Sequence, residues 1–440
     1  MAAFLFAFLE KINAFLWNGP IILLLAATHL FFTFRLFPQR LTFRAIRASV
    51  SKKKEKGEKG MGGFATLATT LAATLGTGNI VGISTAIALG GPGALFWCFL
   101  TGLFGMATAY AECYLSCLYR KKAPDGSVAG GPMYVLEKGL KSRLLGKFYA
   151  FCIVCAAIGA GCTTQSSAIA DAAYSTWHLS PHIIGMAAAV LTGMVILGGA
   201  GSIGSFCTRM VPPLSFLYMG ACCYLLWMNR AFLIPSFSLI LSSAFTGRAA
   251  AGGFVGSTFL MAARFGIARG LFTNEAGIGT AAIAAGSSND SNPTRQALIS
   301  MTAVFWDTIV MCTLTGFTIV SSILAHPGST KGYTDAGLTS AAFAFLPFGG
   351  NAFLTLALIA FALATLVGWC YLGEKGAAYL FGESGIRSYQ LVYIVMIYIG
   401  AIIPMQLVWS FTDFINAVMV LPNVLCLLVL FRKVGKPEKV

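Results

Sequence analysis

Two apolar stretches of this chain, each long enough to cross a bilayer, are broken near their middles by glycine and polar residues. The first runs from about Phe64 to Leu89 and carries Leu75-Gly76-Thr77-Gly78-Asn79-Ile80. The second runs from about Phe254 to Ala285 and carries Phe272-Thr273-Asn274-Glu275-Ala276-Gly277-Ile278-Gly279. Lipid tails offer no hydrogen-bond partners, so backbone that leaves a helix at membrane depth survives only where protein covers it or where it lines a cavity. Glycine alone would be a packing notch. Glycine with Thr, Asn and a carboxylate predicts unwound backbone that holds a polar ligand, as in a secondary transporter.

Only 10% of the 440 residues are charged and 57% are hydrophobic. A soluble domain carries about 25% charged residues, so the composition predicts an all-α polytopic membrane protein. Apolar runs of spanning length recur about eleven times. Besides the two broken runs they lie near Ala14–Phe34, Ala94–Leu118, Phe148–Ala173, Ile183–Gly199, Met210–Met228, Leu298–Leu324, Phe353–Leu372, Leu391–Val408 and Phe414–Phe431. The twelve cysteines fall mostly inside these runs and imply no disulfide framework. Cys152-x-x-Cys155 sits within a span and reads as packing, and four scattered histidines give no transition-metal site.

The net charge of +15 belongs to the connections and is read as topology, with no nucleic-acid partner. Arg35, Arg40, Arg44, Arg47, Lys52, Lys53, Lys54, Lys56 and Lys59 follow the first span. Arg120, Lys121, Lys122, Lys138, Lys141, Arg143 and Lys147 follow the third, and Arg209, Arg295, Lys375, Arg387 and the tail fall on the same side. The other side offers little beyond Lys11, Arg230, Arg248 and Lys331. This alternation predicts a multi-pass protein of the cell inner (plasma) membrane, N-terminus outside and C-terminus cytoplasmic. The broken runs then point in opposite directions, five spans apart, which is the signature of a 5+5 inverted repeat with one extra N-terminal helix. The expected layout is an N-terminal helix and basic loop (1–63), a first five-helix repeat (64–230), an outer loop (231–253), a second repeat (254–432) and a tail (433–440). Two outer segments, Leu233–Val255 and His326–Gly350, are candidates for a lid.

Where a half-helix restarts, its free N–H groups favour a carboxylate; where one ends, bare carbonyls favour a cation or an ammonium. Antiparallel breaks therefore suit a zwitterion. The expected substrate residues are Thr77, Gly78, Asn79, Gln165, Phe272, Thr273 and Asn274. For cation binding or coupling they are Asn79, Glu275, Thr280, Asp307 and Thr365. A carboxylate in a span usually marks an ion path or a buried pair. Glu275 therefore has two readings, coupling or substrate contact on one hand, pairing with Arg264 or Arg269 or helix capping on the other. Glu112 is read as a structural or gating contact, and Ala68 and Ala72 as a packing stripe.

The segments Gly76-Thr77-Gly78-Asn79-Ile80, Ala86-Ile87-Ala88-Leu89-Gly90-Gly91-Pro92-Gly93-Ala94-Leu95-Phe96-Trp97 and Gly130-Gly131-Pro132-Met133-Tyr134 occur in that order. They are followed by Gly270-Leu271-Phe272-Thr273-Asn274-Glu275-Ala276-Gly277, then by Gly368-Trp369 with Tyr371, Gly373 and Glu374. In this the chain resembles the alanine/glycine:cation symporter family. The resemblance implies a leucine-transporter-type fold of eleven spans. It also implies import of alanine or glycine coupled to Na⁺, occasionally to H⁺, with no other cofactor and no enzymatic activity. The chain departs from the family pattern at Cys98-Phe99, Cys162, Ser167, Ala364 and Cys370. Within this reading an H⁺-coupled carrier or exchanger, with Glu275 as proton site, is the alternative. A channel would want charged rings or a symmetric filter, and an intramembrane enzyme a nucleophile–base or metal set; neither pattern is present.

Overall fold

The computed structural model describes residues 2–17, 19–50, 61–122, 128–246, 258–330, 337–347, 349–403 and 405–437, with the backbone alone for 2–7 and 405–409. The basic residues Lys52, Lys53, Lys54, Lys56 and Lys59, with Arg248, Lys331 and Lys439, lie outside them, as does the start of the second broken run.

In hydrocarbon each backbone N–H must find a carbonyl in its own segment, and helices satisfy that demand. In order they are α1 (Ala2–Trp17), α2 (Pro20–Leu36), α3 (Thr42–Val50), α4 (Gly63–Thr74), α5 (Gly78–Gly90), α6 (Ala94–Leu118) and α7 (Pro132–Lys138). Next come α8 (Arg143–Trp177), α9 (Pro181–Ile196), α10 (Gly199–Met228), α11 (Arg230–Thr246), α12 (Phe259–Asn274) and α13 (Thr280–Gly286). The last are α14 (Pro293–Ala325), α15 (Leu338–Phe343), α16 (Gly350–Phe381), α17 (Ser384–Ile402) and α18 (Met405–Val429). Among the described residues the only strands are a two-residue antiparallel pair, Lys121–Lys122 with Val128–Ala129.

Eight of the described stretches are long and apolar enough to cross a membrane, and α4 with α5, bent by 52°, makes a ninth. The other two expected runs are shorter. Helix α9 has 16 residues, and the second broken run is parted into α12 with 16 and α13 with 7. The first expected span also differs: it begins before Pro20, where the chain instead starts a new helix. Proline lacks an N–H and disfavours helical backbone in the residue before it, so it restarts a helix rather than continuing one.

Small residues set the approaches that frame the site. A Cβ on Gly368 of α16 would lie 2.7 Å from the backbone nitrogen of Ala73, so α16 rides directly on α4 beside buried Ala72. The indole of Trp369, one residue on, donates to the Ala73 carbonyl at 3.1 Å. Gly161 of α8 leaves room for the Trp369 ring, and Gly266 and Gly270 of α12 press on the backbone of α6. These close backbone contacts substitute for the hydrophobic drive that lipid does not supply. The result is that α4, α8 and α16 surround the first break, while α6 backs the second.

Candidate functional site

The first break begins at Leu75, which ends α4 with ψ 87°. Gly76 and Gly78 flank Thr77, and glycine weakens a helix by about 1 kcal/mol relative to Ala. The chain resumes in a π-helical turn, Gly78–Gly82, before continuing as α5. Asn79 clasps this turn. Its Oδ1 accepts from the Gly76 backbone at 3.2 Å, while its Nδ2 donates to Asp307 Oδ1 at 2.8 Å and lies 3.2 Å from the Asp307 carbonyl. The same Nδ2 approaches Cys312 Sγ at 3.3 Å, and Thr308 donates to Asp307 Oδ2 at 2.7 Å. Asp307 through Cys312 belong to a second π-helical segment, Phe305–Cys312 within α14.

Around this clasp the structure brings together several of the expected residues. A Cβ on Gly76 would sit 2.8 Å from Thr365 Oγ1 and 3.2 Å from Gln165 Oε1. Thr365 is within hydrogen-bond distance of the Leu75 carbonyl at 3.2 Å and the Phe361 carbonyl at 3.0 Å. Gln165 Nε2 donates to the Ala160 carbonyl in a third π segment, Ala157–Thr163 of α8. A Cβ on Gly78 would be 3.2 Å from Thr273 Oγ1, which itself donates to the Arg269 carbonyl. The two broken runs therefore meet at Gly78 and Thr273.

The second break is built differently. Glu275, Gly277 and Gly279 all have positive φ, at 55°, 94° and 95°. The left-handed conformation costs a non-glycine residue about 1–3 kcal/mol, so Glu275 is held by its surroundings. Its carboxylate accepts from Thr280, the first residue of α13, at 2.6 Å. Tyr149 donates to the Ile278 carbonyl at 2.7 Å and Asn423 to the Gly277 carbonyl at 2.8 Å. Asn423 also donates to Glu112 Oε1 at 2.6 Å. Glu275 is thus tied to the restarting helix. The arginines considered as its partners lie over aromatic rings, Arg264 over Phe265 and Arg269 over Phe272. Glu275 remains within electrostatic reach of Asp307 and Glu112.

The Phe272 ring lies 5.9 Å from the Arg269 guanidinium, and its neighbour Thr273 faces Gly78. Several partners were not expected. Thr308 adjoins Asp307 and was open to notice, but Cys312 was not. Five residues on, it returns to the face of Asp307 only in a π-helix. Helix α15 covers the second half of the first broken run, with Leu338 N donating to Ser84 and Thr339 Oγ1 to the Ile80 carbonyl, both at 2.8 Å. This places the segment 337–347 of the second lid candidate on α5.

Among the described residues, Thr77 Oγ1, Gln165 Oε1 and Asn274 Nδ2 are buried at the breaks without a partner, as is Glu112 Oε2 behind the second. Buried polar groups are ordinarily hydrogen-bonded, and leaving one unpaired costs about 1–3 kcal/mol. Thr77 and Gln165 lie at the first break, and Asn274 ends α12 at the second. Facing half-helices with unsatisfied polar atoms, inside a bundle of membrane-length helices, define a membrane transporter. The chain belongs to the sodium:alanine symporter family, whose model matches residues 2–439. It is therefore a multi-pass Na⁺-coupled amino-acid symporter, not an enzyme. It is 43% identical over 430 residues to the sodium/alanine symporter AgcS of Methanococcus maripaludis, covering 96% of this chain and 94% of that one. It is 32% identical over 426 residues to a probable sodium/glutamine symporter, GlnT, of Bacillus subtilis, covering 96% and 87%. In fold it is similar to a substrate-bound, outward-open Na⁺-coupled sialic acid symporter, with TM-score 0.55 and 14% identity over 92% of this chain and 82% of the other.

Proposed function

We propose that this protein imports small neutral amino acids, alanine and glycine, together with Na⁺ by alternating access, binding both between the two breaks. The observation that carries this is the set of three orphaned polar atoms. Gln165 Oε1 is an acceptor and suits an ammonium; Asn274 Nδ2 is a donor and suits a carboxylate; Thr77 Oγ1 can serve either. One donor and one acceptor with no net charge between them fit a zwitterion. The side chain has little room, since a single methyl on Gly76 would already press on Thr365 and Gln165.

The cation is assigned to the oxygens that lie close by: Asp307 and Asn79 at the first break, Thr365 beside Leu75, Glu275 and Thr280 at the second. A hard cation prefers such oxygens, and two buried carboxyl groups within electrostatic reach of each other attract one. Thr77, Gly78, Asn79, Gln165, Thr273 and Asn274 take the substrate, while Phe272 serves the outer wall. In this reading residues 64–230 and 254–432 are the inverted repeats of an eleven-span, leucine-transporter-type fold. The N-terminus faces out, and one bundle rocks against the other.

The second reading, H⁺ coupling through Glu275, is favoured by one observation: its buried carboxylate is met by a hydroxyl rather than a cation. Uptake of labelled alanine into proteoliposomes separates the two. Na⁺ replaced by K⁺ is expected to abolish accumulation; full accumulation driven by a pH gradient alone would overturn the sodium assignment. Competition by glycine, both alanine enantiomers and serine, repeated across Na⁺ concentrations, tests the substrate class.

A further inference from the structure

Away from the breaks, a groove of about 280 Å³ opens on the outer face between α3, α4, α10 and the π segment of α14. Ile46, Leu71, Phe216 and Trp306 form its walls, and Leu75 and Met311 are among the residues that line it. The two hydroxyls that line it, Ser49 and Ser215, are spent on carbonyls of their own helices, Ile46 and Val211. The Trp306 indole N–H is the one other polar side-chain group among its lining residues. The neighbouring surface is apolar too, since Phe43, Val50, Phe216 and Leu217 are all exposed. A groove of this kind in a spanning bundle opens onto hydrocarbon.

Two arginines flank it. Arg47 precedes the lining residue Val50 by one helical turn, and Arg209 precedes the lining residue Pro212 by one turn, so each shares a helix face with the groove. Both are exposed, and neither has an ion-pair partner among the described residues. Gly204 packs on Met61 just before α4, which places Arg209 near the end of the groove where Phe64 lies. An apolar slot flanked by two cations is complementary to a hydrocarbon tail that carries a negative head.

We propose that this groove holds an acyl chain of an anionic phospholipid drawn from the bilayer, with its headgroup at Arg47 and Arg209. The seated chain bears on Leu75, whose carbonyl faces Thr365, and on Met311, next to the Cys312 that Asn79 approaches. It touches, from behind, both segments that the Asn79 clasp joins. The lipid therefore braces the first break without entering the site.

The probe is a pair of lipids with brominated acyl chains, phosphatidylglycerol and phosphatidylcholine, each diluted into otherwise identical vesicles carrying the full-length protein. Trp306 emission is taken as wild type minus Trp306→Phe. Brominated phosphatidylglycerol is expected to quench Trp306 at roughly fivefold lower mole fraction for each arginine that contributes, and Arg47→Gln with Arg209→Gln to erase that preference. Equal quenching by the two lipids, no quenching by either, or a preference that survives in the double variant overturns the proposal. Should Trp306→Phe fail to fold, mass spectrometry of the purified protein reads the same site. Ser215→Phe is expected to lose one co-purified phosphatidylglycerol, and an unchanged lipid count overturns the assignment.

Discussion

The two breaks solve one physical problem by opposite means. The first is held by side chains from elsewhere: Asn79 reaches 228 residues along the chain to Asp307, and Thr365 approaches the Leu75 carbonyl from α16. The second adds a conformation of its own: three left-handed residues in five, with ties from Thr280 to Glu275 and from the Ala276 amide to Asn274, while Tyr149 and Asn423 hold only its carbonyls. A break held by exchangeable hydrogen bonds can trade them for a ligand. A break fixed by backbone conformation stays put and offers a constant surface.

The sharpest way to break this comparison is to place a methyl in each. Gly279→Ala must adopt φ near 95° and would put its Cβ 2.5 Å from Pro132 and 2.7 Å from the Tyr149 hydroxyl. We expect a loss of about 3 kcal/mol, seen as reduced folded yield and a lower Tm in detergent. Gly76→Ala meets two polar side chains that can turn aside, so it is expected to fold within about 1 kcal/mol of wild type yet to lose most uptake. Equal destabilisation by the two substitutions would mean that the breaks are not different in kind.

Asn79→Ala removes the clasp and leaves Asp307 short of a donor. Hydrogen bonds to charged groups contribute about 1.5–3 kcal/mol, so uptake at low alanine and low Na⁺ should fall about 10- to 100-fold with membrane insertion intact. Normal uptake under those conditions would remove the first break from the site. Tyr149→Phe unpairs the Ile278 carbonyl and should cost about 1 kcal/mol of stability, with the apparent affinity for alanine little changed. Phe272→Leu is expected to alter uptake less than twofold, because that ring leans on Arg269 rather than on the break. A larger effect would return Phe272 to the substrate.

Both breaks were legible in the sequence because glycine, asparagine and a carboxylate contradict their apolar surroundings. Asp307 and Gln165 stood out for the same reason. What stayed hidden depends on geometry that α-periodicity does not encode. Cys312 reaches the Asn79 amide from a π-helical segment, and three such segments line the site. The donors to the second break, Tyr149 and Asn423, lie 129 and 146 residues from the carbonyls they satisfy, so only the folded bundle reveals them. The short lid helix α15 was foreseen only as a structured segment, since nothing in Leu338-Thr339 names Ile80 and Ser84 as its partners.

The ends of the chain impose a schedule on its own assembly. Asn13 donates to the Ser410 carbonyl at 2.6 Å and Trp17 to the Asp413 carbonyl at 3.1 Å, so the first helix is docked on the last one. Leu25, on the second helix, fills the space beside Gly277. The Ser410 and Asp413 carbonyls follow Asn13 and Trp17 by 397 and 396 residues. Asn13 and Trp17 therefore gain these partners only once α18 has been made, and the docking of α1 is a late event in the assembly of the bundle.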